Sequence, residues 1–502
     1  MSERSGPLRR ICIVGGGTAG WIAAALTAHL YPGIAVELVE SDDIGTIGVG
    51  ESTIPPFIEM LARLGISESD FIRECQASYK LGIEFRDWHR IGERYFHPFG
   101  SIGTRLEQAD FYQLWLRARE GGYDRPLQDF APASAMAEAR RFTLPFRAPR
   151  TPVAGAAYAL HVDAKRVARF LRRFAEERGV VRTEGMVTDV ATDAAGFVEH
   201  VVLKDGRSIA ADVFIDCSGF RALLSGRTLG VGFIGWEQWL LCDRAIAVQT
   251  ENVGPPPPFT LAHAQPAGWR WRIPLQHRTG NGHVFSSRHL SEDEATAMLM
   301  AQVEGEAVTE PMPVPFRTGV RTHPWAKNVV AIGLSAGFIE PLESTAIHLI
   351  YRGMEFFFRY LPERDCAPAL AAEYNRRMIA DCEEIRDFII LHYCLTRRDD
   401  TDFWRECATM ALPESLAERI ALFRVNGALR EGVDELFRPV SWQSVMDGMG
   451  VVPRTHHASA DRVAAQDLPR EMNAAADALA RYVATLPAHE AFIAQHCAAG
   501  EP

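Results

Sequence analysis

The chain has 502 residues, 47% of them hydrophobic, and 53 lysines and arginines stand against 64 acids for a net charge of −11. That length suits two or three domains, or one large elaborated domain, and the charge argues against a nucleic-acid surface. No run of about 18 apolar residues occurs, so no membrane span is expected. The nine cysteines are scattered with no C-x-x-C pair, which indicates neither a metal site nor a disulfide framework. The N-terminus lacks an export pattern, so reduced thiols in a cytoplasm are expected.

In chain order, the apolar run Ile11 to Val14 reads as a buried strand, followed by glycines and an alanine-rich helix. A second strand is expected from Ile34 to Glu40. Between the first strand and its helix, Gly15, Gly17 and Gly20 form a G-x-G-x-x-G. The first glycine permits a tight turn, the second lets backbone approach a pyrophosphate, and the third allows close helix–strand packing. The helix N-terminus then offers N–H groups and a positive dipole to phosphates. Glu40, at the end of the next strand, is placed to hold ribose hydroxyls. A glycine-rich structural turn is the plainer explanation, but strand, helix and acid in register favour a dinucleotide. The chain has a single such fingerprint. "GVGEST" (48–53), able to lie along an extended cofactor, and "DVFIDCSG", a glycine after a late strand, favour a flavin.

Further on, Asp163 is a plausible N-cap, Val167, Phe170, Leu171 and Phe174 form an apolar stripe, and Gly179 is a plausible stop. Strand-like segments follow through "DVFIDCSG", with a turn at Asp205-Gly206. "WRWRIP" (269–274) alternates as a strand, with Trp269, Trp271 and Ile273 on one face and Arg270 and Arg272 on the other. Pro274 lacks an N–H and would end or edge it. Taken alone, the tryptophans fill a core. "NVVAIGLSAGFIEPLEST" reads as strand, glycine loop and helix start. From about Leu361 onward helical periodicity dominates, while 254–258 and 453–469 read as loops or mobile segments.

W-x-W-x-I-P together with the N-terminal G-x-G-x-x-G resembles the signature pair of the flavin-dependent tryptophan halogenases. Three more segments look like that family in the same order: "GVGEST", "ASYKLGIEFRDW" (77–88) and "EPLESTAI" (340–347). The resemblance runs from residue 11 to about 360 and weakens in the helical remainder. It implies an α/β fold, with a FAD-binding domain of the glutathione-reductase type and an interleaved, mostly helical substrate module. Residues 1–360 would form the FAD-binding box, with substrate-side insertions near 89–150 and 225–310, and 361–502 the helical substrate-binding module. It also implies a two-component enzyme, in which a separate NAD(P)H-dependent reductase supplies reduced FAD. With O2, bound halide (bromide or chloride) becomes hypohalous acid, and a lysine delivers the halogen to an electron-rich ring. The cofactor positions that match are Gly15, Gly17, Ala19, Gly20, Glu40, Gly48, Val49, Gly50, Glu51, Val187 and Gly333.

By the same resemblance Lys80 is the delivering lysine. A haloamine route needs a neutral, partly desolvated amine, whereas a charged Lys80 would hydrogen-bond and polarise hypohalous acid. Its bland alternative is a surface lysine. Glu343 matches the essential carboxylate, to accept the ring proton or orient the halogen; its bland alternative is a first-turn helix acid. Thr345 and Ala346 match the halide site at a helix start. The family usually has Thr-Gly there, so Thr-Ala puts halide preference in question. Ser344 matches a substrate contact. Trp269 with His97 and Phe99 is expected to clamp the ring, and Trp271 to stand towards the flavin side. The segment 435–453, where tryptophan-specific relatives carry tyrosines and a glutamate, has no tyrosine; only Trp442 and Asp447 remain. A zwitterion entering without partners loses hydration uncompensated. The expectation is therefore a divergent halogenase, monomer or homodimer, acting on an indole-like substrate other than free L-tryptophan. An aromatic flavin hydroxylase is the enzymatic alternative, disfavoured by Leu334 where such enzymes carry Asp. A non-catalytic flavin-binding protein is the other, disfavoured by the presence of both Lys80 and Glu343.

Overall fold

The computed structural model describes residues 6–44, 51–105, 109–430, 432 and 434–500. Gly48, Val49 and Gly50 lie outside the described residues. The chain divides into two compact units, each assembled from three stretches. One takes Met1–Gln76, Val162–Glu237 and Phe316–Glu383; the other takes Ala77–His161, Gln238–Pro315 and Glu384–Pro502.

The first unit is built on a six-stranded sheet in the order Trp325–Ala326, Val329–Ala331, Val213–Asp216, Arg10–Val14, Ala35–Glu40, Val181–Glu184. All neighbours are parallel except the pair at the Trp325 edge. Strands covered on both faces read as unbroken apolar runs, as Ile11 to Val14 does. The helix Thr18–Leu30 packs against the helices Ala164–Glu176 and Ala346–Arg359. Its buried Ala23, Ala24 and Ala25 leave room for that approach. Asp163 caps its helix as the sequence reading expects, its side chain accepting from the Lys165 and Arg166 amides. Gly179 follows that helix with φ +88°. The strands Val187–Thr192, Val198–Leu203 and Ser208–Ala210 form an antiparallel sheet, joined by the expected turn at Asp205-Gly206.

The second unit holds a seven-stranded sheet in the order Met312–Pro315, Arg244–Thr250, Thr279–Phe285, Gly268–Pro274, Thr260–Gln265, Gly82–Arg86, Arg94–Pro98. Only Thr260–Gln265 and Gly82–Arg86 run parallel. The strand of the two tryptophans is central, paired on both sides, and it ends at Pro274. Ser78–Lys80 pairs antiparallel with Ala159–Val162.

No strand occurs among the described residues after Phe338. The helix Pro368–Cys394 carries the chain from the first unit into the second. The segment 453–469, read from sequence as loop or mobile, contains the 3-10 helix Ala458–Arg462. It is held to the helix Phe111–Glu120: Arg117 donates to the Ala460 and Val463 carbonyls, and His456 meets Glu120. Side-chain contacts invisible to composition order it. No helix among the described residues is long and apolar enough to cross a membrane.

Candidate active site

In the first unit the glycine loop fits a dinucleotide. Gly15 has φ +112°, and a Cβ there would overlap the Cys217 carbonyl. Its amide donates to the Val39 carbonyl at 2.8 Å, tying the loop after the first strand to the second strand. A Cβ on Gly20 would overlap the Gly15 carbonyl, so the third glycine serves helix–strand contact. At Gly17 a Cβ would meet nothing within 4 Å among the described residues. That open space lies at the N-cap of Thr18–Leu30, where no side chain among the described residues caps the helix. Unfilled amides and open space at a helix start suit a pyrophosphate.

Glu40 turns back to the same loop, where a Cβ on Gly16 would overlap its carboxylate. Its Oε1 accepts from Arg182 Nε at 2.6 Å, and Arg172 stands 3.8 Å away. A ribose hydroxyl at Glu40 would share the carboxylate with Arg182. Gly333, at φ +66°, comes up against Ala19, whose methyl lies 3.0 Å from where a Cβ would be. Two of the expected cofactor positions, distant in sequence, thus meet. The side chain of Val187 packs half-buried on the cluster of Val198, Val201 and Leu203. Glu51 is pushed up to about 7 by burial and then by the charge of Asp163.

Sequence reasoning missed Asp216. It is fully buried and gathers the loop around it, accepting from the Ser218, Leu224 and Ser225 amides and from the hydroxyls of Ser218, Ser225 and Ser335. It lies in the motif "DVFIDCSG", whose glycine alone points to a flavin from sequence. A strand-end acid followed by serines is the signal that would have found it.

Glu343 closes the 3-10 turn Pro341–Glu343 and is 1% exposed. Ser344 follows at φ +61°, a left-handed conformation that costs a non-glycine residue about 1–3 kcal/mol and gathers at functional sites. Thr345 is then the N-cap of Ala346–Arg359, buried and with no side-chain cap among the described residues, while Ala346 is exposed at the first helical position. An uncapped helix start of 14 residues has amide donors to offer an anion.

In the second unit Lys80 is 0% exposed, which disposes of a surface lysine. Its Nζ lies 5.0 Å from the centre of the Phe99 ring. Ser78, on the same face of the strand, donates to the Pro274 carbonyl at 2.5 Å. His161, opposite Ser78 in the ladder, has Nδ1 3.1 Å from Ser78 Oγ and Nε2 2.9 Å from Thr260 Oγ1. Burial, then the charges of Lys80 and His489, hold its imidazole well below the ordinary histidine range.

Cross-strand register puts Trp269, Trp271, Ala262, Phe85, Tyr95 and His97 on one face of the seven-stranded sheet. The expected clamp of Trp269 with His97 and Phe99 is not brought together as such: two strands separate Trp269 from His97. The Trp269 ring lies 6.5 Å from Trp88 and 6.1 Å from Trp271, at 1% exposure. His97 instead meets Phe99, Phe388 and Phe437, with centroids 6.3, 5.5 and 6.3 Å away. Phe388 and Phe437, stacked at 3.8 Å, are aromatic neighbours that sequence reasoning missed. Phe437 sits in the segment 435–453, which has no tyrosine. Trp271 lies over Gly282, whose missing Cβ makes room for the ring, and its Nε1 has no hydrogen-bond partner among the described residues.

Trp442, a weak substitute for the missing polar groups, is a core residue. It is 1% exposed, its Nε1 donates to the Phe437 carbonyl, and Arg419 stacks on it at 4.2 Å. Asp447 is pushed up to about 6 by burial, against the pull of Arg119 at 3.4 Å.

The first unit carries a dinucleotide cradle and the second a buried lysine facing an aromatic ring, features that fit a flavin-dependent enzyme. The chain belongs to the tryptophan halogenase family, whose model, described as tryptophan halogenase, matches residues 10–465. It is 34% identical to the tryptophan 6-halogenase SttH of Streptomyces toxytricini, over 97% of this chain and 98% of that one. Among solved structures, Xcc4156, a flavin-dependent halogenase from Xanthomonas campestris, superposes with a TM-score of 0.95 at 45% identity, covering 99% of this chain and 100% of that one. BrvH, a flavin-dependent halogenase from Brevundimonas sp. BAL3, does so with a TM-score of 0.94 at 43% identity, covering 97% and 99%. The protein is therefore a flavin-dependent halogenase, and the α/β fold and FAD dependence expected from the motifs stand over the hydroxylase and carrier readings.

Proposed function

We propose that the enzyme brominates or chlorinates an indole-like aromatic other than free L-tryptophan, with Lys80 as the delivering residue. The observation that carries this is a lysine at 0% exposure facing the Phe99 ring, on a strand tied to the W-R-W-R-I-P strand. Gly15, Gly17, Ala19, Gly20, Glu40 and Gly333 hold FAD, along with Glu51, Val187 and residues 48–50. When bound and reduced by a separate NAD(P)H-dependent reductase, FAD supplies with O2 the oxidising power that turns halide into hypohalous acid. The amides at Thr345 and Ala346 hold the halide, with the helix N-terminus stabilising its charge. Lys80 takes up the hypohalous acid and presents electrophilic halogen to the ring. Glu343, a carboxylate in a dry site, accepts the ring proton when aromaticity returns. His97 and Phe99, with Phe388 and Phe437 beside His97, offer flat faces to an indole. Ser344 contributes a polar backbone contact, Trp269 serves on the substrate side, and Trp271 helps keep the organic substrate from the oxygen chemistry. All nine cysteines are free thiols, which suits the reducing cytoplasm.

The test is product analysis by mass spectrometry with FAD, NADH, a flavin reductase, indole, and bromide or chloride, beside Lys80→Ala. A halogen isotope pattern on indole that falls at least about 100-fold in the variant supports the reading. Equal halogenation by Lys80→Ala would remove Lys80 from delivery, and hydroxyindole would replace the reading with oxygenation.

A further inference from the structure

Lys80, Ser78, Ala159 and His161 are all 0% exposed and lie together on one two-stranded ladder. Ser78 pairs with His161 and Lys80 with Ala159, so Lys80 and His161 are diagonal neighbours on one face. Such diagonal neighbours stand roughly 7–8 Å apart, within reach of a lysine and an imidazole. Alanine opposite Lys80 leaves room for its chain to lie across that face.

The hydrogen bonds fix the imidazole's state. Ser78 Oγ spends its proton on the Pro274 carbonyl at 2.5 Å, so towards His161 it can only accept. Nδ1 of His161 therefore carries the ring proton. Nε2 faces the Thr260 hydroxyl at 2.9 Å, and a neutral ring accepts from it there. Both ring nitrogens are engaged, so the ring is held in orientation. On the other face of the strand Tyr79 is locked by Phe142, stacked at 4.2 Å, and by the edge of Phe492 at 5.6 Å. The lysine strand is thus clamped on both faces.

We propose that His161 is a positioning residue for Lys80: a neutral, Nδ1-protonated imidazole that locks the lysine strand to the tryptophan strand through Ser78 and the Pro274 carbonyl. The proposal rests on Lys80 being the delivering residue. It gives the closing proline of W-R-W-R-I-P a second use. Having no N–H, it ends the strand, and its carbonyl then anchors Ser78, two residues before the lysine. A doubly held neutral ring also keeps a second positive charge away from the amine that must receive an electrophile.

The test compares His161→Leu, His161→Asn and Ser78→Ala with wild type and Lys80→Ala, using FAD, a reductase, NADH, bromide and indole. Two products are read: bromoindole, and bromination of a diffusible 1,3-diketone that captures hypobromous acid escaping into solution. A positioning role separates them. In His161→Leu and Ser78→Ala bromoindole falls on the order of tenfold to a hundredfold, the cost of misplacing a reacting group by about 1 Å, while diketone bromination persists or rises. His161→Asn, whose amide can still donate to Ser78, recovers part of the loss. Bromoindole and diketone falling together, with a lowered Tm, would make His161 merely structural and overturn the proposal. So would bromoindole formation unchanged in His161→Leu. Lys80→Ala as active as wild type would defeat the delivery reading itself and this proposal with it. Inactive Lys80→Ala beside active His161→Leu would defeat this proposal alone.

Discussion

Two glycines of one motif carry different loads, and they separate cleanly by experiment. Gly15 combines φ +112° with a backbone carbonyl where a Cβ would sit. Gly15→Ala is expected to cost about 1–3 kcal/mol from the backbone alone, with the overlap against Cys217 adding to it, seen as a lower Tm before any cofactor is added. Gly17 faces open space with extended backbone. Gly17→Ala is expected to change the Tm of the FAD-free protein by no more than about 1 kcal/mol equivalent, yet weaken FAD binding about tenfold or more by occupying the phosphate's approach. Thermal melts and a flavin titration on both variants check this. Equal FAD affinity for Gly17→Ala and wild type would mean that the open space is not the phosphate site. Both roles follow from the motif spacing, but the identity of the atoms that Gly15 must avoid does not. Cys217 lies 202 positions away in the chain.

The segment 453–469 shows why an element's order can escape composition. Its polar residues suggest solvent, and they are instead used on one another. His456 Nδ1 lies 2.9 Å from Glu120 and Nε2 3.0 Å from Asp461, with Arg117 3.4 Å from Asp461. Two carboxylates, one at each nitrogen, call for the imidazolium. Burial pulls its pKa down, but the hydrogen bonds of Asp461 and Glu120 outweigh it, and the net direction is up. A histidine whose folded pKa is raised contributes stability that is fully present below the unfolded value near 6.5 and is lost as pH rises through the folded value. Amide hydrogen exchange of residues 454–463, after correction for the intrinsic pH dependence of exchange, is therefore expected to show more protection at pH 6 than at pH 9. The Asp461→Asn variant should lessen the difference. Equal protection at both pH values would show that the imidazolium does not hold the segment.

At the scale of the molecule, the proposed specificity rests on what is missing. The segment 435–453 has no tyrosine, and the one indole that remained there, Trp442, is consumed by the core through Phe437 and Arg419. An ammonium and a carboxylate that no group there is built to meet would give up hydration uncompensated. The expected outcome is kcat/KM for indole at least about tenfold above that for L-tryptophan, a difference of about 1.4 kcal/mol in transition-state binding. Comparable values, measured by product formation under one set of conditions, would reject it.

The local chemistry was written in the sequence: the glycine turn and its strand and helix, the Asp163 cap, the alternation of Trp269, Trp271 and Ile273, and the helical tail. Each depends on neighbours within a few positions, where steric and hydrogen-bonding rules act directly. The motifs also carried the family, because their order along the chain survives without coordinates. What only the tertiary structure decided are the encounters of residues far apart in sequence. Sheet order put two strands between Trp269 and His97 and brought Phe388 and Phe437 to His97 instead. Burial turned Lys80 from an ambiguous lysine into one with no exposed surface, and cross-strand register placed His161 beside it. Register and burial are set by how whole strands pair and pack. No window of sequence contains them.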